Sequence, residues 1–176
     1  MRTNVNRTYA WRVRMLKTLR KLITENSNAI CDAVAKDLNR RAFIQEVFQM
    51  DPIVHEIDDV LEQLPKWMKP EQVPCPMMHG PGKCMILREP LGVCLILTAW
   101  NFPFWELFFP MVGAFAAGNN CLIKPSEMAP YSSNLIKTLM TKYFKDSEVG
   151  VVEGGIEVAK AITSAKVDVI IFTGSP

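Results

Sequence analysis

The sequence predicts an α/β protein in which amino-terminal helices precede part of a doubly wound parallel sheet. Three observations carry this prediction. Apolar residues recur every three or four positions through the first third of the chain. A stretch rich in proline and glycine then ends that period. Beyond it, short apolar segments alternate with amphipathic ones, as strands and crossover helices do in a parallel sheet.

The composition is that of a globular protein: 176 residues, 49% of them hydrophobic, with 20 Lys and Arg against 18 Asp and Glu. Residues 1–41 hold ten of the basic residues and only three of the acidic ones. This asymmetry leaves open a helix that binds nucleic acid or a membrane surface. However, no interleaved aromatic residues offer bases a stacking platform, and the apolar stripe lacks the bulky face of an interfacial anchor. We therefore expect a solvated cationic face and no nucleic-acid partner.

The first third of the chain predicts three helices. The first runs from Tyr9 to Glu25, and Asn26-Ser27 is expected to cap a second one, whose apolar face is spaced at helical intervals. The third repeats with heptad spacing from Phe43 to Leu64, which fits either a coiled coil or a helix packed on its own domain. Pro52 interrupts the heptads and favours the packed helix, and Asp51-Pro52 also suits a new helix start.

Prolines and glycines from Pro65 to Gly82 indicate a linker. Cys75, His79 and Cys84 lie in or beside it, but their spacing fits no common zinc site, so we expect no metal. The strongly apolar runs are too short to cross a membrane, and the amino terminus does not resemble a secretory signal. Five cysteines without CxxC spacing indicate reduced thiols in an intracellular, cytoplasmic protein.

The second half predicts alternating strands and helices. In chain order we expect strands at 83–88 and 92–97, a helix at 106–117, a strand at 121–124, a helix at 131–145, a strand at 149–153, a helix at 156–164 and a strand at 167–172.

Three polar segments each follow a buried strand, where ligands bind in such sheets. They are Thr98 to Phe104, Lys124 to Glu127, and Thr173 to Ser175. Lys124 and Glu127 could grip sugar hydroxyls or form an ordinary surface ion pair. Gly174-Ser175 could open a phosphate-binding turn. Trp100 suits the core or a cofactor platform, and Asn101 suits a turn or the stabilisation of an oxyanion.

Taken together and in order, five motifs resemble the aldehyde dehydrogenase superfamily, above all its class 3 and fatty aldehyde members. The resemblance also covers the amino-terminal helices, residues 9–68, with their Leu-Pro-Lys-Trp end. The motifs are Glu89-Pro-Leu-Gly-Val93, Ala99-Trp-Asn-Phe-Pro-Phe104, Gly113-Ala-Phe-Ala-Ala-Gly-Asn119, Lys124-Pro-Ser-Glu127 and Phe172-Thr-Gly-Ser175.

The resemblance implies a role for each candidate residue. Asn101 would hold the aldehyde oxygen as it becomes an oxyanion, and Trp100 would border the cofactor. Lys124 and Glu127 would contact the adenosine ribose, while Gly174 and Ser175 would begin the pyrophosphate-binding turn. The cofactor would be NAD, with NADP possible, and the strands around residues 83–93 would join a small oligomerisation sheet in a homodimer.

The resemblance further implies oxidation of aldehydes to carboxylic acids through a cysteine thiohemiacetal. None of the five cysteines lies in the family's nucleophile motif, and the glutamate base is expected beyond this sequence, so we expect the fragment alone to be inactive. Thr98-Ala99 departs from the Gly-Thr of class 3 members, which would remove any hydroxyl contact at residue 99. Any membrane association is expected only through a carboxyl-terminal tail outside this sequence.

The predicted organisation has three parts: a helical part at 1–70, a linker with oligomerisation-type strands at 71–93, and an incomplete NAD(P)-binding, Rossmann-like domain at 94–176. The leading hypothesis is the amino-terminal part of an NAD(P)-dependent aldehyde dehydrogenase. The alternatives are a truncated, non-catalytic binding or dimerisation module, and an adaptor that uses the basic first helix.

Overall fold

The computed structural model describes residues 8–175, apart from the side chains of Phe43 and Val47. The first two positions of the predicted heptad pattern therefore lie outside the described residues. Within the described range, no helix is both long enough and apolar enough to cross a membrane.

The amino-terminal part is helical, as predicted. Thr8 caps the first helix, because its Oγ1 accepts a hydrogen bond from the Trp11 amide. Asn26 occupies the N-cap position of the second helix, as predicted, but its side chain makes no capping hydrogen bond. Its side-chain amide instead donates to the Leu22 carbonyl and to the Tyr143 hydroxyl, which joins the two helices to a later one. The elements are α1 (Tyr9–Glu25), α2 (Ser27–Leu38), α3 (Ala42–Gln45), a π-helical turn (Glu46–Met50) and α4 (Asp51–Trp67).

The heptad segment packs on its own chain, with Met50, Ile57 and Leu64 fully buried in the core. Pro52 does not interrupt the helical backbone, because it lies in the first turn of α4, a position that tolerates proline. Pro65 does not end the helix, contrary to our expectation, because α4 continues to Trp67. The proline sits in the last turn, and the buried Leu64 beside it anchors that turn.

The predicted linker contains a short strand that the sequence did not reveal, and this strand pairs with the one expected after the linker. Strand β1 (Glu71–Val73) pairs antiparallel with β2 (Cys84–Ile86), so that Glu71 lies opposite Ile86. The strand expected at 83–88 is therefore shorter, and its partner lies in a segment that we interpreted as linker. Both strands are largely exposed, which explains why neither shows a clean apolar alternation.

The rest of the chain forms a four-stranded parallel sheet in the order β5-β4-β3-β6. The chain therefore moves outward from β3 to β5 and then returns to the other side of β3, which is the reversal that defines a doubly wound sheet. The elements are β3 (Val93–Leu97), α5 (Trp105–Ala117), β4 (Asn120–Lys124), α6 (Pro130–Tyr143), β5 (Val149–Val151), α7 (Ile156–Thr163) and β6 (Val169–Phe172).

One core joins the amino-terminal helices to the sheet. Helix α1 packs on α4 and α5, and α2 packs on α6. Phe115 of α5 is fully buried at the centre, where its ring meets Trp11 of α1 edge-on and Phe144 just after α6. Cys94 and Ile96 of β3 face the same core, whereas α7 contributes no buried residue.

Gly113 within α5 and Gly118 just after it should respond in opposite ways to substitution by alanine. Gly113 lies in the helix interior, and a Cβ there would meet no atom within 4 Å. We expect Gly113→Ala to raise the free energy of unfolding by about 0.5–1 kcal/mol. Gly118 ends the helix with φ +86°, so Gly118→Ala should lower it by about 1–2 kcal/mol. Urea unfolding of both variants tests this, and stabilisation by Gly118→Ala would contradict the assigned backbone conformation.

Candidate nucleotide site at the strand ends

The three polar segments singled out in the sequence lie side by side at one edge of the sheet. The Thr98 amide after β3 donates to the Lys124 carbonyl at the end of β4, at 3.3 Å. On the other side, the Thr173 amide after β6 donates to the Leu97 carbonyl at 3.1 Å. The end of β3 thus lies between the ends of β4 and β6. The chain reverses its direction of winding between β3 and β6. This is the position at which doubly wound sheets bind ligands.

The segment after β3 is held in place by two side chains that the sequence analysis did not identify. The Glu106 carboxylate, in the first turn of α5, accepts a hydrogen bond of 2.7 Å from the Ala99 amide. Burial raises the pKa of Glu106. Arg40, from the α2–α3 connection, donates to the Asn101 carbonyl at 2.9 Å and lies 4.6 Å from the centre of the Phe102 ring. The backbone that carries Asn101 is therefore tied to both the helical part and α5.

Trp100 and Asn101 differ in exposure. The Trp100 side chain is 47% exposed, so Trp100 is not a core residue. Of the two interpretations that the sequence allowed, core residue or cofactor platform, only the second is left. Asn101 is partly buried beside it. An exposed aromatic ring next to a partly buried amide suits a surface that a flat cofactor covers, although their roles stay predictions.

Lys124 and Glu127 form an asymmetric ion pair. The Lys124 ammonium is buried and donates to a Glu127 carboxylate oxygen at 2.8 Å and to the Pro125 carbonyl at 3.1 Å. Half of the Glu127 side chain remains exposed. The hydrogen bond from Lys124 lowers the pKa of Glu127, so the carboxylate is ionised at neutral pH. An ionised, accessible carboxylate held by a buried cation is suited to accept hydrogen bonds from two neighbouring sugar hydroxyls.

Gly174 and Ser175 are exposed just beyond β6, at the same edge of the sheet. A second glycine turn, which the sequence analysis missed, follows β5. Gly154 has φ +146°, and a Cβ there would collide with Val158 of α7. The nearest atom to a Cβ on Gly155 would be a Glu127 carboxylate oxygen, at 3.9 Å. This turn could have been predicted from the sequence, because two consecutive glycines stand between a predicted strand and a predicted helix.

The cysteines do not gather at this edge. Cys31, Cys94 and Cys121 are buried, and Cys75 and Cys84 lie partly exposed near the β1–β2 strands. In residues 8–175 no cluster of three or more His, Cys, Asp or Glu side chains is arranged to hold a metal ion. The burial of Cys121 in β4 agrees with a structural role.

Thiol reactivity should separate these two groups. Burial raises the pKa of Cys94 to about 11 from 9.0, which reduces its thiolate fraction about a hundredfold, and it raises the pKa of Cys121 as well. We expect iodoacetamide at pH 8 to modify Cys75 and Cys84 in the native chain and to leave Cys94 and Cys121 unmodified. Peptide mass spectrometry with and without urea measures this, and native labelling of Cys121 would exclude its buried position.

Comparisons with known proteins agree with this architecture. The sequence model of the "Aldehyde dehydrogenase family" matches residues 5–176. An aldehyde dehydrogenase of Craterostigma plantagineum is 38% identical over 172 residues, which cover 96% of this chain and 35% of that protein. The "dimeric NADP-preferring" aldehyde dehydrogenase of Rattus norvegicus is 34% identical over 96% of this chain and 37% of its own length.

The solved structures give the same result. Staphylococcus aureus AldH, in a substrate-bound state, superimposes with a TM-score of 0.93 at 33% identity, covering 97% of this chain and 37% of that one. The chain thus spans slightly more than a third of the length of these relatives. With a family match across almost every residue and a fold that agrees throughout, this chain belongs to the aldehyde dehydrogenase family.

Proposed function

We propose that this chain supplies the nucleotide-binding part of an NAD(P)-dependent aldehyde dehydrogenase that oxidises aldehydes to carboxylic acids. The observation that carries the proposal is the meeting of three strand ends at the reversal point of the sheet, with Lys124 and Glu127 on one side and Gly174 on the other. The cofactor, when bound, accepts the hydride that leaves the aldehyde carbon.

Each group on this edge has a distinct task in the proposal. Glu127, ionised and fixed by Lys124, accepts hydrogen bonds from the adenosine ribose. The exposed backbone at Gly174 and Ser175 lets a pyrophosphate approach closely. Trp100 covers one face of the cofactor, and the Asn101 amide donates to the aldehyde oxygen as negative charge develops on it.

The proposal for the whole enzyme extends to its partners. We expect an aldehyde substrate and a homodimer, supported by the family and by the dimeric rat relative. The exposed β1–β2 pair is the expected contribution to the dimer sheet. The five free thiols support a cytoplasmic location, and membrane association stays a prediction that needs a tail outside this sequence.

The experiment is a calorimetric titration of the chain with NAD+, with adenine as a control for binding of the base alone. The proposal predicts one saturable NAD+ site per chain and much weaker binding of adenine. Equal affinity for the two compounds, or no saturable NAD+ binding by a folded chain, would refute it. We expect no NADH to form from NAD+ and an aldehyde, because none of the five cysteines lies in the nucleophile motif that the family resemblance implies.

A further inference from the structure

A cavity of about 910 Å³ is lined by residues outside the three strand-end segments. It opens to solvent and is lined by α1, α4, α5, the chain from Lys69 to Glu71 at the start of β1, and Arg88 and Glu89 after β2. None of its lining residues belongs to the proposed nucleotide site. The wall is mainly apolar, with Val60, Leu64 and Trp67 from α4 and Ala116 from α5. Its volume is within the range of small-molecule sites in proteins.

One charged side chain lies in this apolar wall. Arg12 is only 5% exposed, and its Nη1 donates to the Ala116 carbonyl at 2.9 Å. Its Nε is buried without an acceptor in the described part of the chain. Burial lowers the pKa of Arg12, and no carboxylate among residues 8–175 offsets the effect. A buried guanidinium with an unsatisfied donor is costly unless an anion joins it.

The helix opposite Arg12 leaves room for such an anion. Gly113 of α5 also lines the cavity, and a Cβ there would enter open space. A glycine in a helix interior is unfavourable by itself, so its presence here is consistent with close approach of another group to the helix backbone. Nothing in residues 8–175 makes that approach.

The charged residues around the opening of the cavity restrict the net charge that a ligand can carry. Arg88 and Glu71 form an ion pair and largely cancel each other. Lys66 and Lys69 add positive charge to the rim, whereas Glu56 and Glu89 add negative charge, so Arg12 is the cation that most needs a partner. A single guanidinium matches a monoanion, because a doubly charged phosphate would leave excess negative charge in an apolar wall.

We propose that this cavity binds a small aliphatic carboxylate, with its carboxylate on Arg12 and its hydrocarbon chain along α4 and α5. The proposal is independent of the nucleotide site, since the two share no residues. An apolar polypeptide segment that presents an acidic side chain is the competing occupant. If such a segment is the true occupant, the cavity should show no affinity for a small fatty acid.

Calorimetric titration of the intact chain with octanoate and octan-1-ol tests the proposal. The two probes have the same chain length and differ in charge. We expect one octanoate site, with affinity at least tenfold higher than for octan-1-ol. Equal affinities, binding of many molecules per chain, or no binding of either probe would overturn the proposal.

Three variants keep the test decisive. Arg12→Gln should reduce octanoate affinity to that of octan-1-ol, whereas Arg20→Gln, an exposed change on the same helix, should leave it unchanged. Gly113→Leu should place an apolar side chain in the cavity and weaken both probes at least tenfold, and a Cβ at this position meets no atom within 4 Å. If Arg12→Gln does not fold, Gly113→Leu still decides, because unaltered octanoate binding by that variant contradicts the location.

Discussion

Phe115→Ala is expected to destabilise the whole chain by about 3–5 kcal/mol. The ring is fully buried and contacts both Trp11 of the first helix and Phe144 beyond α6. Its removal leaves a cavity at the junction of the amino-terminal helices and the sheet. Because domains of this size have only about 5–15 kcal/mol of stability, we expect a large shift of the urea midpoint.

Phe109→Ala is the matched control on the same helix. Phe109 is 43% exposed and stacks on Trp105 at 5.1 Å between ring centroids, so its loss should cost less than about 1.5 kcal/mol. Both variants should unfold in one transition by circular dichroism and by tryptophan fluorescence. Separate transitions for the two probes would show that residues 1–70 and 94–176 fold as independent units.

Glu127→Ala is expected to weaken binding of ADP-ribose about tenfold to a hundredfold. A hydrogen bond to a charged group contributes about 1.5–3 kcal/mol, and the loss of the carboxylate removes such bonds to the ribose. The buried Lys124 ammonium would also lose its only carboxylate partner among the described residues, which leaves a buried positive charge without compensation. Titration calorimetry of both proteins measures the change.

Asp58→Asn provides the control for loss of an ion-paired carboxylate. Asp58 pairs with Arg20 on the exposed surface of α1 and α4, away from the strand ends. Its substitution should leave ADP-ribose affinity unchanged. Similar affinities of the wild type and Glu127→Ala would mean that the Lys124–Glu127 pair is an ordinary surface ion pair, the interpretation that the sequence left open.

Most helices and the parallel-sheet fold class could be predicted from the sequence, because burial places apolar residues at regular intervals along the helices and in continuous runs along the strands. Helix α1 was predicted with its observed ends, and β3 and β4 were recognised as continuous apolar runs. The same reasoning failed where burial does not set the pattern. Strand β1 is short and mainly exposed, and its pairing with β2 depends on backbone hydrogen bonds that composition does not reveal.

The location of the candidate site residues could be predicted from the sequence, but the side chains that hold those residues in place could not. The placement of Lys124 and Asn101 after buried strands was enough to bring them to one edge. Arg40 and Glu106 hold that edge through bonds to backbone atoms, and such bonds have no spacing signature. The basic residues of 1–41 were expected to form a solvated face, but Arg12 is buried, because the apolar face of α1 extends to its position.

The most direct test of the account is NMR mapping of ADP-ribose on the isotope-labelled chain. We predict that the largest amide shift changes fall on Thr98, Lys124, Glu127 and Gly174, which meet at the reversal point of the sheet. Octanoate should leave these amides unperturbed. Shift changes confined to the cavity beside Arg12, or spread evenly over the surface, would contradict the assignment of a nucleotide site to the strand ends.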